Sequence, residues 1–136
     1  LAGFRVGYGI MDPEIAEILN RIRQPFNVNT LAQAAAVAAI GDEQFLNKCI
    51  KATHDGLDFL FDAVENLGIR CLPTQSNFFM LDLETDATKV FEQMLKKGVI
   101  VRSMKSYGFD TFLRVNTGTK KENIVFIETL KKVLKK

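Results

Sequence analysis

Two hydrophobic periods run through the chain. Between residues 42 and 67, Leu46, Ile50, Thr53, Leu57, Leu60, Val64 and Leu67 follow three- and four-residue steps, which predicts one long amphipathic helix. Gly68 stands where such a helix takes its left-handed terminal residue. Residues 69–72 and 77–83 then read as strands, the second apolar on both faces, as an interior strand is. Ala87, Val90, Phe91, Met94 and Leu95 predict a further helix, closed by Gly98 and followed by strands near 99–102 and 112–117. Thr119-Lys120-Lys121-Glu122 is a capping-box sequence, and Ile124, Ile127, Leu130 and Leu134 line the final helix. The order from residue 42 is α-β-β-α-β-β-α, an α/β fold with helices on a mixed sheet. Within it, the strand–helix–strand run over 77–103 predicts a right-handed parallel crossover.

The first 41 residues have a different pattern. Phe4, Val6, Tyr8 and Ile10 alternate with Gly3, Arg5, Gly7 and Gly9, which predicts a strand over 4–11. One face of that strand is core-like; the other is bare backbone carrying a single guanidinium. Such a clearing suits a close-approaching anion, although an edge strand whose Arg5 reaches solvent fits the same pattern. Asp12-Pro13 opens a short helix over 14–23, with Ile15, Ile18, Leu19 and Ile22 on one side. Pro25 interrupts it, and Thr30 is expected to cap an alanine-rich helix to about Ile40, buried between other elements. One strand makes no sheet by itself. Residues 1–41 are therefore expected to pack on structure outside this chain, and residues 42–136 to form a domain of their own. The absence of an initiating methionine reads the same way, as a chain entered in its middle.

Composition narrows the classes. The 136 residues are 47% hydrophobic and 25% charged, the balance of a soluble globular protein. A net charge of +2 argues against a dedicated nucleic-acid binder. Lys120-Lys121, Lys131-Lys132 and Lys135-Lys136 carry no interleaved aromatics, and a solvated helix face explains them. Cys49 and Cys71 lack metal-ligand spacing, so ordinary reduced thiols in a cytoplasmic protein are expected, with no metal. The apolar run 31–40 is too short to span a membrane. His54, the only histidine, has no second ligand or nucleophile at useful spacing.

The remaining chemistry is in arginines. Arg114 stands in the middle of Phe112-Leu113-Arg114-Val115-Asn116, where a buried guanidinium is costly unless an anion meets it. That anion is either a ligand or a neighbouring carboxylate. Arg102 ends its strand, where water reaches it more easily.

These segments together resemble the C-terminal part of the histidinol-phosphate aminotransferase family, which belongs to the fold type I enzymes dependent on pyridoxal phosphate (PLP). "LAGFRVGYG" is similar to the family segment that follows the Schiff-base lysine. "RQPFNVNTLAQAAAVAAI" is similar to the connection between large and small domains, and "GVIVRSM" and "FLRVNTGTKKEN" to the last two strands of the small domain. The resemblance implies that residues 1–41 end the large PLP-binding domain and that 42–136 are the C-terminal small domain. It implies that Arg5 grips the cofactor phosphate, that Arg114 binds the substrate phosphate, and that Arg102, a second arginine of this enzyme type, helps bind that phosphate. The implied reaction is amino-group transfer between histidinol phosphate and 2-oxoglutarate (or glutamate in reverse) in histidine biosynthesis, by a homodimer. The Schiff-base lysine would lie upstream of Leu1, so the resemblance implies no catalytic residue here and an inactive chain in isolation. Aromatic amino-acid aminotransferases and threonine-phosphate decarboxylases of the same subgroup are the nearest alternatives. A non-catalytic anion-binding α/β module is the alternative of another class.

Overall fold

The computed structural model describes residues 1–135; Lys136 of the terminal lysine pair lies outside the described residues. The chain divides into two compact units, Leu1–Asn47 and a second that begins at Lys48, with the boundary inside the long helix.

In the first unit, the stretch expected as a strand does not form one. Ala2–Phe4 make a single 3-10 turn, closed by the Phe4 amide on the Leu1 carbonyl at 3.0 Å, and among the described residues no strand follows before residue 13. Arg5 takes the left-handed conformation, φ 56°, which breaks the alternation on which a strand depends. An alternating pattern becomes a strand only beside another strand, and the sheet of the described residues lies in the other unit. Helix α1, Pro13–Ile22, forms as the sequence predicts: the Asp12 side chain accepts from the Glu14 amide at 2.8 Å, with proline at the first helical position. Helix α2, Thr30–Ile40, is capped by Asn29 instead of Thr30, the Asn29 side chain accepting from the Ala32 amide at 2.8 Å. Its expected burial is not found either, since Ala32 alone is buried. Ile15, Ile18, Leu19 and Ile22 of α1 are likewise exposed.

The second unit has a core. Helix α3, Glu43–Glu65, enters it with Leu57, Leu60 and Val64 buried, whereas Leu46 and Ile50 of the same stripe are exposed. Gly68, at φ 66°, ends that helical region. Strands β1 (Arg70–Leu72), β2 (Phe78–Asp82), β3 (Arg102–Ser103) and β4 (Phe112–Asn116) form one sheet in the order β1-β2-β4-β3. Every hydrogen-bonded strand pair in it is antiparallel. The strands flanking helix α4 (Ala87–Lys96) do run parallel to each other, but β4 lies between them, so they form no parallel ladder. Helix α5, Lys120–Leu134, opens on the expected capping box of Thr119 and Glu122.

Alternation sets the two faces of the sheet. Phe79 and Leu81 of β2 and Leu113 and Val115 of β4 join Leu57, Leu60 and Val64 of α3, Val90 and Met94 of α4, and Phe126, Ile127 and Leu130 of α5. Each such side chain removed from water contributes about 1.5–3 kcal/mol. Phe61 stacks edge-on against Phe79 at 5.1 Å, tying α3 to the sheet. Arg70, Met80, Asp82, Arg102, Phe112 and Arg114 fall on the opposite face.

Candidate functional site

The rows of this second face are fixed by register. Arg114 stands directly opposite Met80 on one side and directly opposite Arg102 on the other. Its strand cannot slip, because Leu113 and Val115 on either side of it are sunk in the core, 0% and 3% exposed. The Arg114 guanidinium lies 5.0 Å from the Phe78 ring centroid, and its Nε is buried without a hydrogen-bond partner. A buried N–H left unpaired costs about 1–3 kcal/mol. Arg102, on the edge strand and exposed, donates from Nη2 to the Tyr107 hydroxyl at 2.8 Å, with its guanidinium carbon 5.3 Å from that ring. Among the described residues no carboxylate pairs with either arginine. Two like charges directly opposite on a sheet are destabilising. The arrangement suits an anion that bridges both forks, and guanidinium forks suit a phosphate or a carboxylate alike.

One row away the same face holds the opposite solution. Arg70 of β1 donates to Asp82 of β2 at 2.6 Å, and its guanidinium lies 6.0 Å from the Phe112 ring. The hydrogen bond from Arg70, and after it one from Thr111, holds the Asp82 carboxyl below the usual carboxylate range. This arginine is satisfied by its own chain.

Arg5 belongs to the other unit and is described on its own. It is exposed, in the left-handed conformation, and a Cβ built at Gly3 or Gly7 would meet nothing within 4 Å. Packing inside this chain does not demand those glycines. The structure thus brings Arg102 and Arg114 together, while Arg5 stands in a separate unit.

The other candidates stay apart from this face. His54 is on α3 beside a cavity of about 270 Å³ that Cys49, Thr53 and Ser76 also line, and it is exposed. Burial pushes the Cys71 thiol up, away from a reactive thiolate, with the Glu65 charge adding to it. A larger groove of about 550 Å³ between the α4–β3 connection and α5 is lined by Val99, Val101, Val115 and Phe126 and reaches neither arginine. Among the described residues no three metal-ligating side chains cluster, and no helix is long and apolar enough to cross a membrane.

Residues 1–130 match the family of aminotransferases of class I and II. The chain belongs to that family. It is 50% identical over 134 residues to the histidinol-phosphate aminotransferase of Moorella thermoacetica, covering 98% of this chain and 35% of that protein. Among solved structures, the histidinol-phosphate aminotransferase of Clostridium acetobutylicum matches at a TM-score of 0.89 and 26% identity, over 97% of this chain and 41% of the other. The fold is shared equally with the histidinol-phosphate aminotransferase of Sinorhizobium meliloti in complex with pyridoxal-5′-phosphate, at a TM-score of 0.90 and 24% identity, over 99% of this chain and 38% of that one. The chain thus spans little more than a third of the length of such relatives.

Sequence reasoning does not single out Phe78 or the Arg70–Asp82 pair in this aminotransferase chain. Phe78 reads as one more core residue in a strand apolar on both faces; only the β2–β4 register sets it diagonally beside Arg114. The signal for Arg70 and Asp82 is the hairpin: once β1 and β2 pair about the turn at 73–77, those two positions must oppose each other.

Proposed function

We propose that this chain is the part of a PLP-dependent histidinol-phosphate aminotransferase that grips phosphates. The reaction is amino-group transfer between histidinol phosphate and 2-oxoglutarate in histidine biosynthesis, carried out in the cytoplasm by a homodimer. The observation that carries this reading is the Arg102–Arg114 row: two guanidiniums opposed, a buried Nε without partner, and no carboxylate from the described residues. The 50% identity to a relative of that name supports the choice of substrate.

The geometry of the Arg102–Arg114 row supports the following roles. Arg114, rigid between Leu113 and Val115 and stacked on Phe78, orients the substrate by its phosphate. Arg102 supplies the second fork, and two donors facing one dianion fix its position more closely than one. Arg5 would hold the phosphate of PLP, as its resemblance to the family's cofactor-binding arginine implies. Bound PLP supplies an electron sink for carbanion chemistry. No lysine of this chain matches the Schiff-base position, and the chain alone is expected to be inactive. Residues 1–41 would close the PLP-binding domain, and 42–136 form the small domain.

The test is to express the full-length product of the gene that encodes this chain, load it with PLP, and measure transfer to 2-oxoglutarate. A clear preference for histidinol phosphate over aromatic amino acids is expected. A preference for an amino acid with a free carboxylate, or no transfer, would overturn the reading.

A further inference from the structure

Arg102 occupies a two-residue edge strand, is exposed, and faces a like charge across the ladder. Left to itself, a long side chain so placed would turn toward water, away from Arg114 and among many rotamers. Two contacts oppose this, and both come from Tyr107: the 2.8 Å hydrogen bond to its hydroxyl and the stacking of guanidinium on its ring. Tyr107 is itself tied down. It ends the 3-10 turn Lys105–Tyr107, its amide donating to the Met104 carbonyl at 2.9 Å. The turn is laid on the start of β4: the Met104 amide donates to the Phe112 carbonyl at 3.0 Å, and Phe109 stacks edge-on against Phe112 at 5.8 Å. Gly108, at φ 82°, lets the chain leave the turn in that direction. The strand that carries Arg114 therefore also fixes the residue that holds Arg102.

We infer that Tyr107 is a positioning residue for the anion site, holding the Arg102 fork in line with Arg114 so that both meet one phosphate. The inference rests on the proposed role of that row. It adds a specificity element: the Tyr107 oxygen accepts from Arg102 and keeps its own proton, a further donor for a dianionic phosphate ester. Tyr107 is 56% exposed, so replacing it leaves the core intact.

The test uses this chain with labelled arginine side chains, as wild type, Tyr107→Phe and Tyr107→Leu. The order parameter of Arg102 Nε is measured first without ligand, then inorganic phosphate is titrated. Expected is an ordered Arg102 in the wild type, looser in Tyr107→Phe and loosest in Tyr107→Leu, with Arg114 unchanged. Phosphate affinity should fall about three- to tenfold in Tyr107→Phe and further in Tyr107→Leu. Equal Arg102 order in all three proteins, or loosening without loss of affinity, would overturn the inference while leaving the anion row in place. Phosphate that perturbs neither Arg102 nor Arg114 in the wild type would instead overturn the reading beneath it.

Discussion

Two rows of one sheet face use arginine in opposite ways. In the Arg70–Asp82 row the cation meets a carboxylate of its own chain at 2.6 Å, and the structure is complete without a ligand. In the Arg114–Arg102 row a second cation stands where the carboxylate would be, and a buried Nε has no partner. Each row has an aromatic under a guanidinium, Phe112 within the first and Phe78 diagonally beside the second, so stacking does not distinguish them. The sign of the residue across the ladder does. An arginine satisfied within the fold serves stability; one that the fold leaves opposed to another arginine carries a cost that a bound anion would relieve.

Substitutions separate the rows, the largest effect first. In the full-length enzyme, Arg114→Ala should lower kcat/KM for histidinol phosphate by about a hundredfold or more while barely moving the melting temperature, read by steady-state kinetics beside a thermal melt. Asp82→Ala should do the reverse, costing about 1–2 kcal/mol in denaturant unfolding through its bonds to Arg70 and the Glu84 amide, with kcat/KM near wild type. Arg102→Gln in the isolated chain should raise stability by about 0.2–1 kcal/mol at low salt, a gain that fades as salt screens the repulsion. The pH dependence is smallest. Because the folded Asp82 carboxyl sits below its ordinary range, its contribution is fully present above about pH 4. It is lost as the pH falls from there through Asp82's own lower value. Arg70→Ala should flatten that part of the stability–pH curve, measured by urea unfolding between acid and neutral pH.

The same physics explains what could be read in advance. Local rules placed α5 by its Thr119–Glu122 box, the ends of α3 and α4 by Gly68 and Gly98, and α1 by Asp12-Pro13, because caps and left-handed residues act within a few positions. Arg114 stood out because a cation inside Phe112–Asn116 breaks an apolar run. That Arg102 lies opposite it was hidden, since β3 and β4 meet only through tertiary pairing. Residues 4–11 misled for the complementary reason: their alternation is real, but the pairing strand that would use it is not in this unit, and Arg5 turns left-handed instead. The alanine-rich α2 shows the same limit, as its composition suits close packing but Ala32 alone becomes buried.

The most direct measurement is a set of thermal melts of this chain in phosphate and in chloride at matched ionic strength, as wild type, Arg70→Ala and Arg114→Ala. Phosphate stabilises most proteins somewhat by exclusion from their surface, so the comparison between variants decides. At about a tenfold excess over its dissociation constant, phosphate should raise the wild type and Arg70→Ala by about 5–10 °C more than Arg114→Ala. Equal shifts in all three proteins would contradict the account, and Arg114 would then be a structural residue of the sheet.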